Sequence, residues 1–159
     1  MDIKKQKLTP QQALLKLAGY CAYQERCHEE VREKLSELGV YGDEAEFIIY
    51  ELIQQNYLNE ERFAKAFAGG KFRVKKWGKN KIRMELKQKK VSDYCIQQGL
   101  KEIDNEAYYD TLNELGKDKF NSVKDNNPLV KANKTASYLI GKGYETDLVW
   151  DVINEIKKG

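Results

Sequence analysis

One histidine, two prolines and three cysteines are all that 159 residues contain of these types. His28 with Cys21, Cys27 and Cys95, none of them in a C-x-x-C pair, is too small a stock to build a four-ligand zinc site from imidazole and thiolates. The cysteines read instead as small buried or capping side chains in a reducing compartment. His28 directly follows Cys27, and neighbours at a helix start point about 100° apart, which argues against a nucleophile–base pair. No apolar run approaches the 18 or so residues that a bilayer span requires, and MDIKKQKLTP lacks the apolar core of a secretory signal. A cytoplasmic protein is expected. The motifs G-x-S-x-G, H-E-x-x-H, D-x-D and G-x-x-x-x-G-K-[S/T] are all missing. Glu29, Glu30, Glu33 and Glu37 are spaced like a solvated helix face. Neither an enzyme nor a cofactor or metal site is expected.

What the chain has in quantity is charge, 33% of its residues, and it is unevenly placed. Lys71 to Lys90 holds ten Lys and Arg (Lys71, Arg73, Lys75, Lys76, Lys79, Lys81, Arg83, Lys87, Lys89 and Lys90) against one acid, Glu85, a net +9. The whole chain is only +3, so the remainder is −6. Positive charge concentrated this sharply beside Trp77-Gly78 points to a polyanionic partner, nucleic acid first. Acidic protein surface is the alternative that charge alone leaves open.

Apolar residues recur at helical spacing nearly everywhere, and no stretch alternates as a strand does. Thr9-Pro10-Gln11-Gln12 is a capping box opening a helix with Ala13, Leu14, Leu17, Ala18 and Cys21 on one stripe. A second helix starts near Cys27, buries Val31, Leu35 and Leu38, and stops at Gly39. Asp43-Glu44-Ala45-Glu46 reads as the capping box of a third, with Ala45, Ile48, Ile49, Leu52 and Ile53 inward. Asn59 caps a fourth with Phe63, Ala64, Phe67 and Ala68 inward, and Gly69-Gly70 should weaken or bend it. A helix resumes after Gly78 on Ile82 and Leu86; Lys76, Lys79, Arg83, Lys87 and Lys90 recur at steps of three or four and are expected on one face. A short helix follows over 93–103, then helices over 106–120 (weakened by Gly116) and 131–140, and a last one is capped by Thr146. The segment 124–128 reads as a linker.

A repeat runs through this order. Val31, Leu35 and Val40 reappear as Ile82, Leu86 and Val91, and again as Thr135, Leu139 and Tyr144. The expectation is an all-α protein of three tandem three-helix repeats, helix-turn-helix-like, in an elongated and curved array. Its parts would be a tail and helix start over 1–12 and repeats over 13–58, 59–104 (the basic one) and 105–159. Repeats this small complete their cores by stacking on neighbours. The ten tyrosines have no reading beyond packing between repeats.

Trp77, Phe72 and Tyr57 are aromatics that stack on bases or anchor a core, and an aromatic beside glycine is more often an anchor. A sequence-specific helix-turn-helix reader fits poorly. Its second helix, over 93–103, offers Gln97, Gln98 and Glu102 while the cations sit on the first. A general DNA-binding repeat protein and an α-helical protein–protein scaffold remain as alternatives.

Tyr57-Leu58-Asn59-Glu60-Glu61-Arg62-Phe63, then Trp77-Gly78 and Ile82-Arg83-Met84-Glu85-Leu86 through Val91, resemble the RecX family. Glu30-Val31-Arg32-Glu33-Lys34-Leu35 with Gly39, and Lys142-Gly143-Tyr144, resemble that family's first and third repeats. Three positions depart from its pattern. Cys27 replaces a serine cap at a cost of up to about 1 kcal/mol. Lys90 replaces a stop glycine and must take a left-handed backbone, at roughly 1 kcal/mol. Lys76 stands where glycine is common. The resemblance implies a non-catalytic modulator of RecA recombinase that lies in the groove of the RecA–DNA filament. Such a protein damps ATP hydrolysis, strand exchange and the SOS co-protease response, and binds single- and double-stranded DNA. A monomer is expected. The contacting set would be Lys71, Arg73, Lys75, Lys76, Lys79, Lys81, Arg83 and Lys87, with Trp77 shaping it.

Overall fold

The computed structural model describes residues 8–159, and the first seven residues of the expected tail lie outside it. All regular structure among the described residues is helical. The order is α1 (Pro10–Tyr23), α2 (His28–Glu37), α3 (Gly42–Gln54), α4 (Glu60–Gly70), a π-helical turn (Lys71–Lys75), α5 (Lys79–Gln88), α6 (Asp93–Leu100), α7 (Asn105–Ser122), α8 (Pro128–Gly141) and α9 (Thr146–Lys158).

Two helices open with side-chain caps at the residues expected of them. Thr9 Oγ1 accepts from Gln12 N–H at 3.1 Å while Gln12 Oε1 accepts from Thr9 N–H at 2.9 Å, closing the capping box of α1. Asn59 Oδ1 accepts from Arg62 N–H at 2.9 Å to open α4. Three expected starts are corrected. Helix α3 begins at Gly42 behind Tyr41, whose side chain makes no capping bond, so Asp43 and Glu44 lie inside its first turn. The cap of α9 is Glu145, and Thr146 is the first helical residue. Asn127 caps α8 and Pro128 is its first residue, so the linker-like segment ends in a helix start. Ile53, expected inward, is 38% exposed.

The three related triplets are all buried, and each ends its helix in the same way. Val40 N–H donates to Leu35 O at 2.9 Å, Val91 N–H to Leu86 O at 3.1 Å and Tyr144 N–H to Leu139 O at 3.2 Å. These are the long bonds of a helix terminating through a left-handed residue. That residue is Gly39 (φ +80°), Lys90 (φ +61°) and Gly143 (φ +103°) in turn. Lys90 thus carries the left-handed strain expected of it.

Two sets of buried side chains result. Ala13, Leu17, Val31, Leu35, Ile48, Ile49 and Leu52 close α1–α3 on one another. From Phe63 to Ile153 a single continuous core joins α4–α6 to α7–α9, with Cys27 from the first unit reaching into it. Burying a Leu or Ile contributes about 1.5–3 kcal/mol. Sharing one core therefore ties the second and third units together more firmly than any surface contact does. The chain is not broken at its interior glycines. Helix α7 runs through Gly116, which lets Val152 and Ile156 of α9 approach to 3.1 and 3.2 Å of where a Cβ would sit.

Candidate nucleic-acid interface

The basic stretch begins where α4 was expected to weaken. Gly69 and Gly70 stay helical, and the chain passes without a break into the π-helical turn. That turn ends at Lys76, which is left-handed (φ +56°) and donates its N–H to Phe72 O at 3.0 Å. Such a backbone costs an L-residue about 1–2 kcal/mol, which a glycine would avoid. Trp77 follows, and Gly78 caps α5.

Gly78 lies against the stop turn of the third unit. Its N–H donates to Lys142 O at 2.8 Å, and Asn80 N–H donates to Gly143 O at 2.9 Å. A Cβ on Gly78 would sit 2.3 Å from Gly143 C and Tyr144 N, and one on Gly143 would meet Lys81 Cβ at 2.4 Å. Neither position has room for a side chain. Two tyrosines complete the junction. The Tyr144 hydroxyl donates to Lys76 O at 2.9 Å, and the Tyr108 hydroxyl accepts from Lys79 N–H at 2.9 Å while donating to Glu145. Burial, then the nearby Glu145 carboxylate, raises both tyrosines above the usual phenol range, so both stay protonated donors. Tyr108 packs on Phe72 and Tyr144 with ring centroids 5.7 and 5.1 Å apart.

This scaffold sorts the cations into groups. Lys79, Arg83 and Lys87 run along one face of α5, with Asn80 Oδ1 accepting from Arg83 Nη1 at 2.9 Å. Lys71 and Lys81 lie over the ring of Trp77, Nζ to centroid 5.1 and 4.6 Å. Arg73, Lys75 and Lys76 project from the π-helical turn and its exit, all exposed. Lys76 and Lys90 both fall outside α5, one before it and one after, so the single five-residue face expected from the spacing is corrected to Lys79, Arg83 and Lys87. Position two along a helix is about 200° around it, which is why Lys81 parts from Arg83. Among the described residues, none of Lys71, Arg73, Lys75, Lys76, Lys79, Lys81, Arg83 and Lys87 has a carboxylate within 4 Å.

Of the aromatics, Phe72 is buried in the core. Trp77 packs against that core with its ring flanked by the two lysines. Tyr57 is 41% exposed and distant in role: its carbonyl accepts from Arg62 Nη2 at 3.3 Å.

The last two cations of the run are spent on the first unit. Lys89 Nζ pairs with Glu30 at 3.7 Å and Lys90 Nζ with Glu29 at 3.5 Å. Around them His28 Nδ1 meets Glu60 Oε2 at 2.9 Å, Ser92 N–H donates to Glu60 Oε1 at 3.3 Å, and Arg62 Nε donates to Glu25 Oε1 at 2.6 Å. Burial would raise the Glu60 carboxyl, but the His28 ring and the two backbone amides outweigh it and leave the group below its ordinary value. Cys27 Sγ faces Lys89 O at 3.9 Å, away from the His28–Glu60 contact. Burial pushes the Cys27 and Cys21 thiols up to about 11, so both are inert packing groups.

Comparison with known proteins decides the family. A profile described as RecX, second three-helix domain, matches residues 59–100, and one described as RecX, third three-helix domain, matches 106–153. The chain belongs to the RecX family. It is 33% identical over 132 residues to the Regulatory protein RecX of Clostridium botulinum (strain Eklund 17B / Type B), covering 82% of this chain and 61% of that one. It is 27% identical over 150 residues to the Regulatory protein RecX of Prosthecochloris aestuarii (strain DSM 271 / SK 413), covering 91% and 93%. The chain spans about six tenths of the length of the clostridial relatives it matches. The crystal structure of RecX from Lactobacillus salivarius superposes with a TM-score of 0.85 at 22% identity over 94% of this chain and 97% of that one, which shows the shared fold. The RecX-like Trp77-Gly78 pair thereby acquires a physical role, the tryptophan packing on the core and the glycine docking the second unit on the third. One cation escaped the sequence reading. Lys101, at the C-terminal end of α6, shares a groove with Lys79 and Arg83, and only the packing of α5 on α6 brings it there.

Proposed function

We propose that this RecX-family protein is a non-catalytic regulator that binds the RecA–DNA filament through the cations of its second unit and lowers recombinase activity. The observation that carries this reading is the set of eight unpaired cations on the π-helical turn and α5. Lys89 and Lys90, in the same run, are by contrast paired with Glu30 and Glu29. Unpaired cations on a packed scaffold need no internal bond broken before they meet phosphates. Arg73, Lys75, Lys76, Lys79, Lys81 and Arg83 form the contacting set, and Trp77 holds Lys71 and Lys81 in place. DNA-dependent ATP hydrolysis by RecA is the activity to titrate. The protein slows it below stoichiometric amounts, and the triple variant Lys79→Glu, Lys81→Glu, Arg83→Glu loses that inhibition with its helicity intact. Undiminished inhibition by the triple variant would remove the basic panel from the mechanism. Tight binding to naked DNA with no effect on RecA turnover would favour a general DNA-binding protein.

A further inference from the structure

The eight unpaired cations do not form one uniform surface. A groove of about 500 Å³ separates α5 from the C-terminal end of α6 and the start of α7. Lys79 and Arg83 line one wall, Gln97 and Lys101 the other, and Asn105 one end, over a floor of Leu100 and Ile103. No carboxylate lines it. The acids of the adjoining turn are engaged elsewhere: Glu102 lies 3.9 Å from Lys65 Nζ, and Asp104 Oδ2 accepts from Ala107 N–H at 2.9 Å. Arg83 stands between this groove and a second hollow lined by Asn80, Met84, Lys87 and Gln88. Asn80 engages one of its terminal nitrogens, which fixes the guanidinium in that position.

We infer that this groove is a phosphodiester-binding cleft, in which Lys79, Arg83 and Lys101 neutralise backbone phosphates and the Gln97 and Asn105 amides donate hydrogen bonds to their oxygens. The inference deepens the proposed function, since it names the part of the panel that touches nucleic acid, and it rests on that reading. Three cations and two amide donors without an acid match a phosphate chain. An acidic protein segment would match the cations as well, but the cations continue past the groove through Arg83 to Lys87 in the adjoining hollow, a succession that suits the repeating charges of a phosphate chain. No aromatic lines the cleft. Tyr108 is buried and has Lys79 Nζ over it at 4.7 Å, while Trp77 is flanked by Lys71 and Lys81. Nucleic acid is therefore gripped by its backbone with no base stacked.

The test is fluorescence anisotropy of the full chain with labelled oligodeoxynucleotides across a salt series, without RecA. Each lost phosphate contact lowers the log–log slope on duplex DNA by about 0.9. Lys101→Gln should lower it by about one, Lys101→Gln with Arg83→Gln by about two, and Lys134→Gln on the far unit by nothing. An abasic strand should bind within about threefold of the same strand with bases, because stacking at about 1–3 kcal/mol per base would otherwise separate them at least several-fold. A slope unmoved by Lys101→Gln, with Lys75→Gln lowering it, would overturn the cleft while leaving the regulator reading standing. A much weaker abasic strand would overturn the backbone-only grip. Absence of DNA binding by the unaltered protein, with RecA inhibition retained, would overturn the nucleic-acid occupant in favour of acidic protein surface.

Discussion

Gly78→Ala is the substitution that most directly probes how the basic stretch is held. Its backbone, φ −76° and ψ 166°, is open to any residue, so no conformational strain enters. The cost is steric. The new Cβ would stand 2.3 Å from Gly143 C and Tyr144 N and 2.4 Å from Gly143 O, all backbone atoms, where ordinary contact begins at 3.4 Å. The second and third units must part by about 1 Å at that point, against the density of a packed interior. Overpacking costs about 1–3 kcal/mol. The bonds from Gly78 N–H to Lys142 O and Asn80 N–H to Gly143 O cross the same junction and contribute about 1 kcal/mol each. The expected loss is about 3–5 kcal/mol, a large part of the 5–15 kcal/mol that holds a typical domain together. Urea unfolding followed by far-UV circular dichroism measures it. Two reference variants sharpen the reading. Gly39→Ala has open space but φ +80°, and should lose about 1–2 kcal/mol. Gly69→Ala meets only the movable guanidinium of Arg73 inside a helix, and should be neutral or gain up to about 1 kcal/mol. Gly78→Ala within 1 kcal/mol of the parent would refute the close docking of the two units.

Tyr108→Phe removes the acceptor of Lys79 N–H and the donor to Glu145, and should cost about 1–3 kcal/mol in the same unfolding assay; a neutral result would mean that solvent reaches the Lys79 amide. The Glu60 carboxyl is held below its ordinary value of 4.5, so its contribution is present above that pH and is lost as pH falls through the lower folded-state value. Glu60→Gln should therefore flatten the acid limb of stability against pH, and identical limbs in variant and parent would contradict the His28–Glu60 contact. For Cys27 the sign is opposite: the folded thiol titrates at about 11 rather than 9.0, so stability is full below pH 9 and declines by up to about 3 kcal/mol toward pH 11. Cys27→Ala should remove that part of the alkaline decline, measured as the urea midpoint against pH.

The helices were legible because their apolar residues recur at 3.6-residue spacing, and the triplication because each unit must end its middle helix with the same left-handed exit. Some starts were legible in residue type and others were not. Thr9 and Asn59 announce themselves, whereas Tyr41 caps through its backbone alone and leaves no mark in residue type. Gly69-Gly70 marks the place where the α-helical bonding of α4 gives way to a π-helical turn, and packing keeps the chain helical there against a penalty of about 1 kcal/mol per glycine. The basic run was plain in composition, but charge density does not reveal neutralisation. Glu29 and Glu30 lie some sixty residues before the lysines they meet, and Lys101 joins Arg83 from another helix. Both facts belong to the packing and are absent from any local window.

That packing also says what the run of lysines is for in the fold. One end, Lys75 to Asn80, is bound to the third unit through Gly78, Asn80 and the two tyrosines. The other end, Lys89 to Ser92, is bound to the first through Glu29, Glu30 and Glu60. Helix α5 is thus the strut between its neighbours as well as the carrier of the unpaired charge. The two roles use different groups: the strut docks through the backbone of Lys75 to Asn80 and through the paired Lys89 and Lys90, and the side chains left over are unpaired cations. Surface pairs such as Lys90–Glu29 are worth at most about 1 kcal/mol each. They cannot be what fixes α5, and the buried junction at Gly78 must carry that load. A fixed strut matters for a polyanion, because phosphates along a strand are regularly spaced and cations on a loose helix would lose in ordering entropy what they gain in contact.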